Sequence, residues 1–204
     1  NCDMNANEYV RGAYQSGKWA FVSDYFRLKA LYEQGGVYLD TDVELLRPFG
    51  DLLELSGFAG FEDAEHVATC VLGAEKEHGF FRQAMELYEG RTFLREGGEP
   101  DLTTNVEILT GLLGRNGLEP DGARQSVMGM EIFPAEYFSP RSLETGKLTK
   151  TGNTYAIHWF EASWQTGSQR FHRKVAQVIG KKNTERLKKL LGRSGGPESS
   201  GRSG

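Results

Sequence analysis

Two aspartates one residue apart, Asp40 and Asp42, follow the short apolar run Val37-Tyr38-Leu39. In extended chain, residues i and i+2 project to the same side. Both carboxylates are therefore expected to face one way where a strand runs out. Two hard oxygen donors on one side suit Mg²⁺ or Mn²⁺ better than zinc, and such ions keep coordination positions for a substrate's phosphates. An Asp-x-Asp also occurs in ordinary acidic turns, so the pair is weighed together with what precedes it. Upstream, Asp24 and Arg27 fall on the same helical face as Leu28 and Leu31. Charge on an apolar face is costly unless it is paired or liganded. The pattern fits an internal Asp–Arg pair at the rim of the core, or charges held ready for a ligand.

The elements that position these residues are legible nearby. Ser23 or Asp24 offers a side-chain oxygen to cap a helix that runs on to Gln34. Gly35 supplies a left-handed residue to end it, and Gly36 lets the chain turn sharply into a buried strand over 37–39. Before it, a short helix is expected over Glu8–Ser16, with Trp19–Val22 as an apolar lead-in. After it come a loop and short helix within Leu45–Leu55, starting near Pro48. Strands are expected over Gly57–Phe61 and Val67–Leu72, then a helix over Phe80–Tyr88 whose aromatics belong to the core. Arg95–Pro100 is a Gly-rich loop. Thr103-Thr104-Asn105 caps a helix to about Leu113. Met130–Pro134 and Tyr155–Phe160 read as strands, the latter carrying His158, with 135–140 and 142–152 irregular.

The 204 residues are compatible with one domain, and 38% hydrophobic content supports a core. The only cysteines are Cys2 and Cys70, which gives neither a disulfide scaffold nor metal-ligand spacing and fits a reducing compartment. Residues 170–204 hold ten Lys/Arg against two acids; with a total charge of −4, residues 1–169 carry −12. An acidic body argues against a broad nucleic-acid surface. It does not oppose an anionic ligand whose charge a divalent metal offsets. Three segments are expected: a domain over 1–169, a basic amphipathic helix over 170–192, and a disordered Gly/Ser-rich tail over 193–204. Such a helix docks either on an anionic membrane face or on the acidic body. No stretch approaches the length of a membrane span, and no signal peptide is evident.

The string SDYFR followed by LYEQGGVYLDTDVELL resembles the sugar-binding region of glycosyltransferase family 32, the DXD-motif enzymes of capsular polysaccharide synthesis and initiating mannosyl transfer. The likeness extends from about Asn5 to about Trp164 through FAGFE (58–62), TTN (103–105), FPAEYFSP (133–140) and NTYAIHWFEASW (153–164). It implies a GT-A-like α/β fold, a single Rossmann-like sheet flanked by helices. The first nucleotide-binding strand that family members carry ahead of this point is missing from the sequence. It further implies a cytoplasmic enzyme, peripheral at the inner membrane face, that moves a sugar from a nucleotide-sugar donor, UDP before GDP, to a glycan or lipid-linked acceptor with retention of configuration. Asp40 and Asp42 would be the catalytic aspartates that hold Mn²⁺ or Mg²⁺, with His158 as a third metal or phosphate ligand. Asp24, Arg27 and Asn105 would contact the donor sugar, although Asn105 serves equally as part of a helix cap. Ser163 and Trp164 would donate to the diphosphate, although Trp164 serves equally as a core anchor.

Retention by same-face attack lets the departing phosphate oxygen take the acceptor's proton, so the resemblance calls for no protein base. Two other classes are compatible with parts of the pattern. One is an inactive or binding-only remnant of the same fold. The other is a haloacid dehalogenase-type phosphatase, which also places Asp-x-Asp after a strand. There a Thr or Val normally follows two positions after the second Asp, where this chain has Glu44.

Overall fold

The computed structural model describes residues 2–160. Residues 2–142 and 148–160 build one compact unit. It is a mixed α/β structure consistent with a GT-A-like fold. Helices α1 (Glu8–Gln15), α2 (Trp19–Gln34), α3 (Gly79–Glu89) and α4 (Asn105–Arg115) accompany strands β1 (Gly36–Leu39), β2 (Val43–Leu45), β3 (Gly57–Gly60), β4 (Val71–Ala74), β5 (Gln125–Val127), β6 (Met130–Phe133) and β7 (Ala156–His158). Five strands form a mixed sheet in the order β1-β4-β3-β6-β5, and β2 pairs with β7 in a separate two-stranded sheet. β4 runs antiparallel to both β1 and β3, while β3 and β6 are parallel. The carboxyl ends of β1, β3 and β6 therefore lie at one end of the sheet.

The sheet separates two apolar clusters. On one face Leu72, Ala59 and Ile132 pack with the buried residues of all four helices, including Leu28, Leu31, Phe81, Tyr88 and Leu109. Burying a side chain such as Phe81 is worth about 1.5–3 kcal/mol. The other face packs Phe58, Val71 and Phe133 against Phe49, Phe138 and Tyr155 from the connections. α4 begins in a capping box: Thr104 accepts from the Glu107 backbone N–H, and Glu107 reaches back to the Thr104 N–H.

Several expectations are corrected. The helix carrying Asp24 starts at Trp19, not at Ser23, and its cap residue Lys18 makes no side-chain cap bond. Val22 already belongs to the buried face, and the Ser23 hydroxyl donates back to the Ala20 carbonyl, the mid-helix alternative to capping. The strand after Gly35 exists, but as an exposed to half-buried edge strand. The strand expected over 67–72 begins only at Val71. Backbone groups of 67–70 are satisfied elsewhere: Thr110 Oγ1 takes the Val67 N–H, and Arg27 takes the Thr69 carbonyl. Strands β2 and β5 were not foreseen. β5 enters β6 through Met128-Gly129, both with positive φ, the two-residue turn usually signalled by Asn-Gly. The expected helices over 80–88 and from Thr104 are present, as are the strands from 57 and 130; that over 155–160 shortens to 156–158.

Gly35 ends α2 with φ 68° and ψ −166°. A Cβ there would lie 2.7 Å from the Lys76 backbone nitrogen and 3.0 Å from the Ala74 carbonyl oxygen. The glycine thus lets α2 hand over to β1 directly against the end of β4. Gly35→Ala is expected to lower unfolding free energy by at least about 2 kcal/mol, read from the urea denaturation midpoint.

Candidate active site

α2 places Asp24 and Arg27 on its inward face one turn apart. The Arg27 guanidinium lies 3.1 Å from Asp24 Oδ1 and 3.2 Å from Asp40 Oδ1, and donates to the Thr69 carbonyl at 2.9 Å. It is only 8% exposed, and its Nε has no hydrogen-bond partner among the described residues. One cation thus ties helix α2 to the end of β1 and to the connection ahead of β4. Burial raises the Asp24 carboxyl to about 6 against the opposing pull of Arg27. The guanidinium stays charged because both aspartates outweigh its own desolvation in direction.

Asp40 leaves β1 with its N–H bonded to the Cys70 carbonyl. Its Oδ1 accepts from the Tyr38 hydroxyl at 2.7 Å. The chain does not stay extended here. The Val43 N–H returns to the Asp40 carbonyl, closing a turn over 40–43, so a turn and not strand alternation brings Asp42 beside Asp40. The second sheet supplies the third residue: Val43 faces His158 across β2 and β7, and the Trp159 N–H donates to the Asp42 carbonyl. His158 Nε2 lies 3.4 Å from Asp42 Oδ1. One ligand atom from each of Asp40, Asp42 and His158 falls within 4.8 Å of the others.

This donor set fits a divalent cation. Two carboxylates supply hard oxygens, and burial holds the His158 imidazole below its usual range and so toward the neutral, ligating form, although Asp42 and Asp40 pull the other way. The buried His158 Nδ1 has no hydrogen-bond partner among the described residues. Phe160, two residues on, holds φ 54°, an uncommon conformation for a bulky side chain, with its ring 4.0 Å from that of His158.

Asn105, expected at the donor sugar, is the first residue of α4 and is buried. Its amide accepts from the Tyr88 hydroxyl and donates to the Asp24 carbonyl, and its backbone N–H favours the charged form of the Asp24 carboxylate. The positive end of α4 therefore meets Asp24. Ser163, Trp164, the helix expected over 170–192 and the tail expected over 193–204 lie outside the described residues.

Three residues of this neighbourhood were not singled out from sequence. Tyr38 shares Asp40's side by simple i, i+2 spacing and was detectable on that ground. Thr69 carries no local signal, because its role depends on a contact 42 residues away. Glu62 lies at the carboxyl end of β3 and was visible only as part of the FAGFE string.

No described helix is long and apolar enough to cross a membrane. No curated protein and no solved structure matches the chain. Residues 4–59, which hold Asp24, Arg27, Asp40 and Asp42, match the family model for the glycosyltransferase sugar-binding region containing DXD motif, and this supports a transferase enzyme that acts by glycosyl transfer.

Proposed function

We propose that the protein is a metal-dependent, retaining glycosyltransferase of the family 32 type, transferring a sugar from a nucleotide-sugar donor, UDP-linked in preference to GDP-linked, to a hydroxyl of a glycan or lipid-linked acceptor. The observation that carries this is the convergence of Asp40, Asp42 and His158 beside the Arg27 guanidinium, at the carboxyl end of the sheet where open α/β folds bind ligands.

Asp42, His158 and Asp40 would hold Mn²⁺ or Mg²⁺, Asp40 directly or through water. Bound there, the ion supplies charge stabilisation for the departing diphosphate. Arg27 holds Asp40 in place and presents Asp24 at the same rim. Asp24 and Arg27 would accept from and donate to the donor's hydroxyls, which fixes the sugar relative to its leaving group. Because Asn105 anchors Asp24 through backbone contacts, its contribution to sugar binding is indirect, through the position of that carboxylate. Ser163 and Trp164 would complete the diphosphate site. The basic 170–192 segment would hold the enzyme at an anionic membrane surface on the cytoplasmic side.

Thermal unfolding tests the donor site. UDP with Mn²⁺ at about 100 times the dissociation constant should stabilise the fold by roughly 2.7 kcal/mol, with neither component sufficient alone. Absence of any shift with UDP or GDP, with or without Mn²⁺ or Mg²⁺, in a folded protein would favour a binding-incompetent remnant of the fold.

A further inference from the structure

The carboxyl end of the sheet holds an acidic side chain, Glu62, that the donor site does not use. Glu62 stands two residues beyond β3, just past the isolated bridge between Phe61 and Val67. β1 and β3 flank β4 and run in the same direction. Glu62 and Asp40 thus leave the same end of the sheet from strands about 10 Å apart, two strand spacings. The segment between them is continuous. The Ala68 N–H bonds to the Gly60 carbonyl, Thr69 binds Arg27, and the Cys70 carbonyl accepts the Asp40 N–H.

The backbone around Glu62 is fixed, while its carboxylate accepts no hydrogen bond among the described residues. The Glu62 N–H bonds to the His66 carbonyl, and Asp63 Oδ1 accepts the N–H groups of Glu65 and His66 and faces the His66 ring. No hydrogen-bond donor among the described residues stabilises the Glu62 carboxylate, which is half-buried. Burial lifts it to about 7, Asp63 and Asp40 push the same way, and His66 opposes them. Glu62 in turn adds to the field that holds the buried Cys70 thiol protonated. A half-buried carboxylate without a donor is costly unless a ligand supplies one. Hydroxyl groups are suitable donors, and a carboxylate has two oxygens with which to receive a pair of them.

We propose that Glu62 seats the acceptor: its carboxylate accepts hydrogen bonds from the hydroxyls of a hexose acceptor beside the donor site at Asp40. This rests on the glycosyltransferase reading. No proton transfer to Glu62 is required, since the departing phosphate oxygen can take the proton. The ionised form is the competent acceptor, so acceptor affinity should rise as pH increases through about 7.

The test compares wild type, Glu62→Gln and Glu62→Asp. Each receives UDP-glucose, UDP-galactose, UDP-N-acetylglucosamine or GDP-mannose with Mn²⁺, with and without methyl β-glucoside, methyl β-galactoside or methyl α-mannoside. Nucleoside diphosphate release without a glycoside reports hydrolysis, and glycosylated product reports transfer. The proposal expects Glu62→Gln to lower the ratio of transfer to hydrolysis at least tenfold, mainly through acceptor KM. It also expects unchanged UDP–Mn²⁺ binding, loss of the pH dependence of acceptor KM, and partial rescue by Glu62→Asp. Unchanged acceptor KM and pH profile in Glu62→Gln would overturn it while leaving the glycosyltransferase reading intact. So would a wild type that hydrolyses donor yet transfers to none of the three glycosides. A folded wild type that neither binds nor turns over any donor would instead overturn the glycosyltransferase reading, and the acceptor site with it.

Discussion

Asp42→Ala is expected to remove the stabilisation that UDP and Mn²⁺ produce together, and to lower donor turnover by at least about 100-fold, the equivalent of about 2.7 kcal/mol of transition-state stabilisation. Asp42 is the residue through which both halves of the site are joined. Its carboxylate faces His158, its carbonyl takes the Trp159 N–H, and its turn sets it beside Asp40. Removing the carboxylate leaves Asp40 and His158 without their shared third donor. Asp40 is a less informative first target, because its Oδ1 also receives Tyr38 and faces Arg27, so its loss mixes folding with binding. Differential scanning fluorimetry and coupled nucleoside diphosphate release read the two effects separately. A variant that keeps the full ligand-dependent shift would place the metal site elsewhere.

Arg27→Ala is expected to destabilise the fold by about 3–5 kcal/mol at pH 7, the cost of breaking a buried ion pair from one side. The guanidinium is 8% exposed and lies between Asp24, at 14%, and Asp40, at 24%. Without it both carboxylates face low-dielectric surroundings unopposed. Arg27→Lys should recover only part of the loss, because a single ammonium cannot span Asp24, Asp40 and the Thr69 carbonyl as a planar fork does. The sign of the pH effect follows from Asp24. Its folded pKa, about 6, lies above its ordinary carboxylate value, so the folded state holds an extra proton in between. Its contribution to stability is present at low pH and is lost as pH rises through about 6. Deleting Arg27 removes a charge that lowers this value, so the window should extend upward. The variant's deficit should then be smaller at pH 5 than at pH 7. Urea denaturation at the two pH values measures this, and a deficit below about 1 kcal/mol at pH 7 would show that the bridge does not hold the site together.

The local chemistry was legible in the chain itself. Side-chain type and 3.6-residue spacing were enough to put Asp24 and Arg27 on the inward face of a helix, and turn chemistry was enough to break that helix at Gly35. The Thr104 cap, the aromatic core face of α3 and the strands from Gly57 and Met130 follow from the same short-range rules, which need only neighbours a few residues apart. Asp40 and Asp42 were recognisable as a hard-oxygen pair, although a turn and not extended chain aligns them.

What the sequence left open depends on partners distant along the chain. Val67–Cys70 is apolar enough for a strand, yet Thr110 and Arg27 take backbone groups that a ladder would need. Three-residue strands such as β2 carry too little periodicity to declare themselves, and β2 exists because β7, more than 100 residues later, pairs with it. That pairing brings His158 to Asp42, where sequence offered only a resemblance. Likewise the choice between an internal Asp–Arg pair and a ligand-facing one dissolves in three dimensions. Arg27 does bind Asp24, and it also reaches Asp40, because the sheet places β1's end under the helix at the distance one guanidinium can span.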